Sequence, residues 1–344
     1  MSDRKYKILM IGLGSIGQRH VRNLKRVLGN QVEFLAYRVR RLQQTFSDTM
    51  QIRDGINLEE EYAIRVFDNM ESALKEKPDI VFVTNITSKH MECALEAAKA
   101  GCNLFLEKPL SHTWEGVEEL QMLQKEKGIH IFLGYQNRYH PCVARLRELL
   151  DANAIGQVVQ VEATFEERLT TMHTYEDYST TYMALAEMGG GPVLNLQIHD
   201  LDYLQWIFGM PTEVTAVMGK NSRLKIDVED HAVISYKTTY QGKTISVTSC
   251  SNFLSYPPKH ICEVIGDEGR IILDFNKAEI TLYQEDGEAH TENFSNFQRN
   301  DMFITELRSF LSSIENNTEE EIPLTEGIKG LQLVLMAKKA GGYV

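Results

Sequence analysis

The chain has 344 residues, a length that suits two domains better than one hydrophobic core. Its 36 Lys and Arg against 48 Asp and Glu give a formal net charge of -12, which argues against a nucleic-acid partner. It has no apolar stretch of membrane-spanning length, and its five cysteines have no Cys-x-x-Cys spacing. We therefore expect a cytoplasmic protein with reduced thiols, no membrane partner and no metal site.

The first part of the chain alternates short apolar runs with amphipathic runs of helical length, the order that forms a parallel sheet with crossover helices. Strands are predicted at 7–11, 32–37, 80–84, 103–106 and 130–133. Helices are predicted at 16–28, 70–75, 90–100 and 113–127. Residues 41–65 interrupt this order, and we interpret them as an insertion after the second strand.

After about residue 155 the predicted elements change character. Segments rich in β-branched and aromatic residues predict a largely antiparallel sheet, at 157–165, 213–218, 230–237, 244–249, 260–265 and 270–275. A helix is predicted at 193–208, and another at 327–339 with Thr325 as its N-cap. The predicted fold class is α/β: a doubly wound parallel-sheet domain at 1–134, a second domain at 135–325, and a helix at 326–344 that packs back on the first domain.

The first predicted strand leads directly into Gly12-Leu13-Gly14-Ser15-Ile16-Gly17, and a helix follows at once. In dinucleotide-binding proteins such glycines permit a tight turn, a close approach to the pyrophosphate and close helix packing. The N-terminus of the helix adds unsatisfied N–H groups and the positive end of its dipole. A purely structural turn is the alternative, but the position between the first strand and the first helix favours a bound dinucleotide.

The residues after the second predicted strand affect the choice of dinucleotide. An acid there usually binds the ribose 2'-hydroxyl of NAD, whereas an Arg accommodates the 2'-phosphate of NADP. The chain has Arg38, Arg40 and Arg41 at this place, while Glu33 lies at the start of the strand. The cluster slightly favours NADP over NAD as the cofactor, with a solvated arginine face as the alternative.

Further motifs follow along the chain. Glu107-Lys108-Pro109 follows the strand at 103–106, the sequence from Gly134 to Pro141 reads GYQNRYHP, and Gly189-Gly190-Gly191 precedes His199-Asp200-Leu201-Asp202. In order and spacing these motifs resemble the glucose-fructose oxidoreductase / inositol dehydrogenase / rhizopine catabolism (Gfo/Idh/MocA) family over essentially the whole chain. The resemblance implies a Rossmann domain, a C-terminal α/β domain with an open, mostly antiparallel sheet, and hydride transfer between a nicotinamide and a carbohydrate-like alcohol.

The resemblance also implies roles for individual residues. Together with the glycine turn and Arg38 discussed above, the predicted cofactor-binding residues are Gly12, Gly14, Ser15, Ile16, Gly17, Arg38, Thr84, Asn85, His90, Glu107, Lys108 and Gln136. Glu107 is expected to face the nicotinamide riboside and Lys108 to reach the reacting oxygen. The Lys108–Pro109 peptide is one that tolerates the cis form.

Oxidation of a secondary alcohol needs one group that takes the hydroxyl proton and another that stabilises the developing oxyanion. Histidine titrates near neutral pH, so His199 is the expected proton acceptor, and Lys108 is expected to hold the oxygen as a cation. Asn195 is the third expected catalytic residue, because a spacing of four places it on the same helical face as His199.

Asn195 departs from the family pattern, since many family dehydrogenases have Asp at this position. Asn keeps the hydrogen-bonding shape but lacks the charge and cannot shuttle a proton. Two interpretations remain: a dehydrogenase in which Lys108 and His199 suffice, or a family member without net redox turnover. The second class includes a lyase or hydrolase that oxidises its substrate transiently and a regulatory binding protein. We favour the dehydrogenase.

Substrate specificity is expected in the segment 168–188, which is dense in aromatic and hydrogen-bonding residues: His173, Tyr175, Glu176, Asp177, Tyr178 and Tyr182. The predicted substrate-binding residues are Lys108, Arg168, Tyr178, Asn195 and His199, acting on a sugar, nucleotide sugar or cyclitol. An exposed loop or a subunit contact is the alternative for any one residue of the segment. The resemblance further implies a homodimer or homotetramer formed through the open sheet, since a large exposed apolar face is costly.

Overall fold

The computed structural model describes residues 5–39, 44–47, 51–285 and 287–343. The chain forms two compact units, of which the first contains Met1–Gly134 and Arg299–Gly327. The second unit contains Tyr135–Gln298 and Ile328–Val344. This grouping differs from the predicted one after residue 298. Residues 299–325, predicted in the second domain, group with the first unit, whereas Ile328–Val344, predicted to pack on the first domain, groups with the second.

The first unit contains a six-stranded sheet in which every pair of neighbouring strands is parallel. Its strands are β1 (Tyr6–Ile11), β2 (Val32–Tyr37), β3 (Arg65–Phe67), β4 (Ile80–Val83), β5 (Asn103–Glu107) and β6 (Ile131–Gly134). Their order is β3-β2-β1-β4-β5-β6, the doubly wound order of the Rossmann fold. The prediction of a Rossmann sheet is therefore confirmed. Strand β3 lies at the end of the predicted insertion and was not foreseen.

The second unit contains an eight-stranded sheet in the order β14-β13-β12-β11-β7-β10-β9-β8. Its strands are β7 (Val158–Glu166), β8 (Val214–Gly219), β9 (His231–Tyr240), β10 (Lys243–Asn252), β11 (Lys259–Gly266), β12 (Gly269–Asp274), β13 (Glu279–Gln284) and β14 (Ala289–Asn293). Strands β7 and β10 pair in parallel and the other neighbours are antiparallel, which confirms the mostly antiparallel prediction.

The described residues form ten α-helices. They are α1 (Ser15–Leu28), α2 (Leu58–Glu61), α3 (Met70–Leu74), α4 (His90–Lys99), α5 (Val117–Lys127), α6 (Pro141–Asp151), α7 (Leu169–Met172), α8 (Ile198–Phe208), α9 (Arg299–Asn316) and α10 (Leu324–Ala340). Since α10 begins at Leu324, Thr325 lies in its first turn and the prediction that Thr325 is the N-cap was wrong. Within the described ranges, the helices lack the combination of length and apolar character that crossing a bilayer requires.

The core of the first unit explains why α9 belongs to it. Phe82, Phe105 and Phe132 come from adjacent strands, and their rings stack at centroid distances of 4.7 and 5.5 Å. Phe310 of α9 packs against all three rings, at 5.6 to 6.2 Å. Helix α9 therefore covers an aromatic face of the sheet that would otherwise be exposed to water.

Candidate active site

The turn from Gly12 to Gly17 joins β1 to α1 and lies close to the loop after β4. Gly12 has a φ of 91°, and a Cβ on it would lie 2.9 Å from the backbone of Asn85. A Cβ on Gly17 would lie 2.3 Å from the carbonyl oxygen of Gly12, to which Thr84 Oγ1 donates a hydrogen bond at 2.7 Å. The turn therefore requires glycine at both positions, and Thr84 fixes its backbone.

The N-terminus of α1 has the features that an anion needs. Gly14 is the N-cap and offers no side-chain cap, and the first turn has no acidic residue. Chain neighbours aside, a Cβ on Gly14 would meet no atom of the described residues within 4 Å. The N–H groups of this first turn, which includes Ser15 and Ile16, therefore fit a dinucleotide pyrophosphate.

Arg38 follows β2 directly, and its side chain is ion-paired. Its Nη1 donates to Oε1 of Glu59 in α2. The Arg38 side chain is 8% exposed and that of Glu59 is 36% exposed. Arg40 and Arg41, the rest of the predicted basic cluster, lie outside the described residues. Arg38, the member of the cluster that the structure describes, is thus neutralised by the Glu59 carboxylate.

His90 lies at the start of α4, between the loops that follow β4 and β5. Its Nδ1 is 2.8 Å from the carbonyl oxygen of Pro109, and its Nε2 is 3.1 Å from that of Asn85. The ring is buried, and this burial lowers the pKa of His90. The Lys108–Pro109 peptide is cis. His90 therefore connects the two loops on which Asn85 and Lys108 lie.

Glu107 and Lys108 lie at the carboxyl end of β5. Glu107 Oε1 is 2.7 Å from Nε2 of His20, a fully buried residue of α1. Burial lowers the pKa of Lys108 to about 8, an effect that the charge of Glu107 opposes and that of Arg299 strengthens. Lys108 therefore loses its proton at a lower pH than a lysine in water does.

A second carboxyl group lies near Glu107. Glu306 of α9 is fully buried, and neither of its carboxyl oxygens has a hydrogen-bond partner among the described residues. Burial raises the pKa of Glu306 well above its usual range, and the charge of Glu107 raises it further while Arg19 opposes the shift. Glu306 therefore keeps its proton to a higher pH than a carboxyl group in water does. His20 and Glu306 were not predicted from the sequence, because no local pattern connects either helix with the end of β5.

In the second unit a buried ion pair connects two of the sequence motifs. Arg138 Nε and Nη2 donate to Oδ2 and Oδ1 of Asp202, at 2.9 and 2.6 Å. Arg138 lies in the 3-10 turn Gln136–Tyr139, whose first residue, Gln136, is buried, and Asp202 lies in α8. The pair therefore fixes this turn to the helix that contains His199.

Asn195 and His199 are both buried, on a helix that begins with the π-helical turn Val193–Gln197 and continues as α8. Asn195 Nδ2 donates to the carbonyl oxygens of Gly191 and Gly189, at 2.8 and 3.3 Å. Asn195 thus fastens the glycine turn to the helix. An ionised Asp could not make these contacts, since a carboxylate only accepts hydrogen bonds.

The residue after His199 connects the same helix to the sheet. Asp200 Oδ1 is 2.9 Å from Nε2 of His260, and the His260 ring is stacked between Phe165 and Phe275 with both centroid distances at 3.9 Å. His199 therefore lies between two anchored residues of the helix, Asn195 and Asp200. The sequence did not predict the preceding π-helical turn, a rare feature that often marks functional sites.

Part of the segment 168–188 contributes to the fold of the second unit. Arg168 Nε donates to the carbonyl oxygen of Leu254, and Tyr178 Oη accepts a hydrogen bond from the backbone N–H of Lys225, both at 3.2 Å. Beneath them is a small buried core of Leu169, Met183, Leu196 and Phe253.

The predicted site residues fall into both units. Lys108 and all predicted cofactor-binding residues except Gln136 belong to the first unit. Gln136, Arg168, Tyr178, Asn195 and His199 belong to the second. Within the described ranges, no group of three or more His, Cys, Asp or Glu side chains is arranged to hold a metal ion.

Two family models match the chain, one in each half. The oxidoreductase family with an NAD-binding Rossmann fold matches residues 6–135, and the GFO/IDH/MocA C-terminal domain matches residues 143–272. Among relatives, the myo-inositol 2-dehydrogenase of Thermotoga maritima is 25% identical over 97% of this chain and 96% of that protein. The inositol 2-dehydrogenase of Rhizobium meliloti is 24% identical over 78% of this chain and 80% of that protein.

Solved structures share the fold at lower sequence identity. Levoglucosan dehydrogenase, in complex with NADH and levoglucosan, has a TM-score of 0.82 at 15% identity and covers 98% of each chain. UDP-N-acetylglucosamine 3-dehydrogenase from Acidithiobacillus ferrooxidans has a TM-score of 0.76 at 19% identity, over 98% of this chain and 99% of that chain.

Proposed function

Because the chain belongs to the Gfo/Idh/MocA family of NAD-binding oxidoreductases, we propose that it is a nicotinamide-dependent dehydrogenase acting on CH–OH groups. Its substrate is a sugar, a nucleotide sugar or a cyclitol. The observation that carries this proposal is the glycine turn before the N-terminus of α1, which fits a dinucleotide pyrophosphate. The names of the inositol dehydrogenases and sugar dehydrogenases reported above support the substrate class.

In this proposal Lys108 and His199 act on the reacting alcohol. The bound nicotinamide supplies the hydride acceptor. His199 takes the hydroxyl proton, and the ammonium form of Lys108 donates a hydrogen bond to the same oxygen and stabilises its negative charge. A lysine with a pKa of about 8 is still mostly a cation at pH 7, which this role requires.

Asn195 has a positioning role in this proposal instead of the catalytic one that the resemblance implied. Its amide donates to Gly191 and Gly189, which holds the turn before the helix of His199. These contacts give a structural reason for Asn at a position where many family members have Asp. They support a structural role for Asn195, with Lys108 and His199 carrying the chemistry.

The remaining predicted residues divide between cofactor and substrate. We propose that Thr84, Asn85 and His90 shape the cofactor site through the turn and loop contacts described above, and that Gln136 also binds the cofactor. Arg168 and Tyr178 are the residues proposed to contact the substrate.

The test is a spectroscopic assay of the purified chain with NAD and with NADP against inositols, sugars and nucleotide sugars. We expect reduced nicotinamide to accumulate with at least one member of the panel. Lys108→Ala and His199→Ala should each lower this activity by roughly 10²-fold or more while cofactor binding, measured by fluorescence, persists. A chain that binds the cofactor but exchanges no hydride with any isotopically labelled member would contradict the proposal. Exchange without net cofactor reduction would instead identify a transient oxidation.

We also propose that the chain forms a homodimer or homotetramer through the sheet of the second unit. Support comes from Val217 on β8 and Val233 on β9, which are directly paired and are 69% and 39% exposed. Exposed apolar side chains on neighbouring strands gain free energy when a partner covers them.

A further inference from the structure

The end of β2 lies beside the glycine turn. Tyr37, the last residue of β2, pairs with Ile11, and its carbonyl oxygen accepts a hydrogen bond from the N–H of Gly12 at 3.2 Å. In a Rossmann dinucleotide site the adenosine ribose lies at this strand end, where an acidic side chain accepts from its 2'-hydroxyl. This chain has Arg38 at that place, so the strand itself does not supply the acid.

A carboxylate nevertheless reaches this place from α2. Glu59 Oε1 accepts a hydrogen bond from Nη1 of Arg38, and the backbone N–H of Glu59 donates to Oδ1 of Asn57 at 3.0 Å, which fixes the start of α2. The backbone of Arg38 is fixed as well, since its N–H donates to the carbonyl oxygen of Phe67 at 3.4 Å. The two side chains therefore form their ion pair while a hydrogen bond holds the backbone of each residue.

The two partners differ in exposure. The side chain of Arg38 is 8% exposed, whereas that of Glu59 is 36% exposed. The guanidinium is thus directed to its carboxylate, and the carboxylate keeps a surface open to solvent. An ionised carboxyl group has room for several hydrogen bonds, so Glu59 can accept one from a ligand while it holds Arg38.

We propose that Glu59 is the acceptor for the adenosine ribose 2'-hydroxyl, and that Arg38 holds its carboxylate in place, so that the chain selects NAD against NADP. This inference rests on the proposed function and assigns its cofactor specificity. A 2'-phosphate would meet the negative charge of Glu59, and the positive charge of Arg38 is already neutralised. The preference for NADP that Arg38 indicated in the sequence is reversed by the ion pair.

The test compares NADH and NADPH in fluorescence titrations of the unaltered chain and of Glu59→Gln. We expect the unaltered chain to bind NADH more tightly than NADPH. In Glu59→Gln the NADH affinity should fall roughly tenfold or more, as for loss of a hydrogen bond to a charged group. The NADPH affinity should rise, because Arg38 is no longer neutralised.

Glu61→Gln is the matched control. It removes the same charge from the same short helix, but Glu61 pairs with Arg53 at 3.1 Å and not with Arg38. Its ratio of NADH to NADPH affinity should equal that of the unaltered chain. Melting curves of both variants establish that they are folded.

The possible outcomes distinguish failure of the Glu59 assignment from failure of the proposed function. If NADH binds and Glu59→Gln has the same affinity ratio as Glu61→Gln, the assignment of Glu59 is overturned while the proposed function stands. Tighter binding of NADPH than NADH by the unaltered chain overturns the assignment as well. If neither cofactor binds, the proposed function fails and the inference fails with it.

Discussion

Lys108 differs from an ordinary surface lysine in its pKa. Taking an ammonium group out of water disfavours its charged form, and here desolvation outweighs the favourable charge of Glu107. A pKa of about 8 leaves Lys108 charged at neutral pH but close to losing its proton. The chemistry proposed for this residue should therefore depend on pH in a way that a lysine in water would not.

Replacing Lys108 by Met should lower kcat by roughly 10²- to 10³-fold, because the developing oxyanion loses its donor. In the unaltered chain, kcat/KM for alcohol oxidation should fall as the pH rises through about 8, where Lys108 loses its charge. Lys108→Arg retains a charge at all these pH values, so this fall should disappear from whatever activity remains. An unchanged pH profile in Lys108→Arg would assign the titration to another group.

Asn195→Asp tests the positioning role of this amide. The new carboxylate would face the carbonyl oxygens of Gly189 and Gly191, so unfolding free energy at pH 8 should fall by about 1–3 kcal/mol. A protonated Asp can still donate one hydrogen bond, which raises the pKa of the new carboxyl above its unfolded value. The contact is then present at low pH and is lost as the pH rises through the raised pKa.

Urea unfolding of Asn195→Asp at pH 5 and pH 8, with the unaltered chain as reference, measures this difference. A larger loss at pH 8 is expected. Equal stability of the two proteins at pH 8 would show that the Asn195 amide does not hold the glycine turn.

At the scale of elements, the Arg138–Asp202 ion pair connects the turn Gln136–Tyr139 to helix α8. Neither sequence motif alone predicts this contact. Both side chains of the Arg138–Asp202 pair are almost fully buried. Removing one partner of a buried pair leaves a charge without compensation, which costs more than the pair itself contributes. The stability of this region should therefore depend on both partners together.

Asp202→Asn should lower the unfolding free energy by about 3–5 kcal/mol, because the Arg138 charge stays buried. The double variant Arg138→Met with Asp202→Leu should recover much of this loss. The matched control is Glu292→Gln, which breaks the exposed pair with Arg145 and should cost at most about 1 kcal/mol. Urea denaturation of the three variants makes the comparison, and equal losses in Asp202→Asn and Glu292→Gln would contradict it.

Helix α9 provides a second test at this scale. Phe310→Ala removes a ring that packs on Phe82, Phe105 and Phe132, and should cost about 3–5 kcal/mol of unfolding free energy. Met122→Ala on α5 is the control, since Met122 is 63% exposed and its truncation should change stability little. Similar midpoints in urea for the two variants would show that α9 does not stabilise the first unit.

At the scale of the whole molecule, the proposed assembly through the second sheet depends on Val217 and Val233. Changing both to Lys should reduce the particle mass measured by light scattering, because buried charges without partners are costly. Met122→Lys, at an exposed position of α5 in the first unit, should leave the mass unchanged. A double variant with the mass of the unaltered assembly would place the interface elsewhere.

Strands with a strong hydrophobic pattern were predictable from the sequence, and strands without such a pattern were not. The strand β4 is a run of four buried apolar residues, and the segments of β9 to β12 alternate in the way that strands do. By contrast, all five residues of β14 are exposed, so it has no hydrophobic pattern and is held by its pairing with β13. Strand β3 was missed for another reason, since its three residues, Arg65–Phe67, are too few to show a periodic pattern.

The sequence by itself determined the family, the two kinds of sheet and the glycine turn, and it indicated Lys108 and His199 as candidate site residues. These follow from local periodicity and from motifs whose residues are neighbours in the chain. The tertiary structure alone decided that Arg38 is neutralised by Glu59, that Glu306 lies near Glu107, and that Asn195 fastens a turn. A side chain's charge and hydrogen bonds depend on which groups surround it, and folding brings those groups from distant parts of the chain.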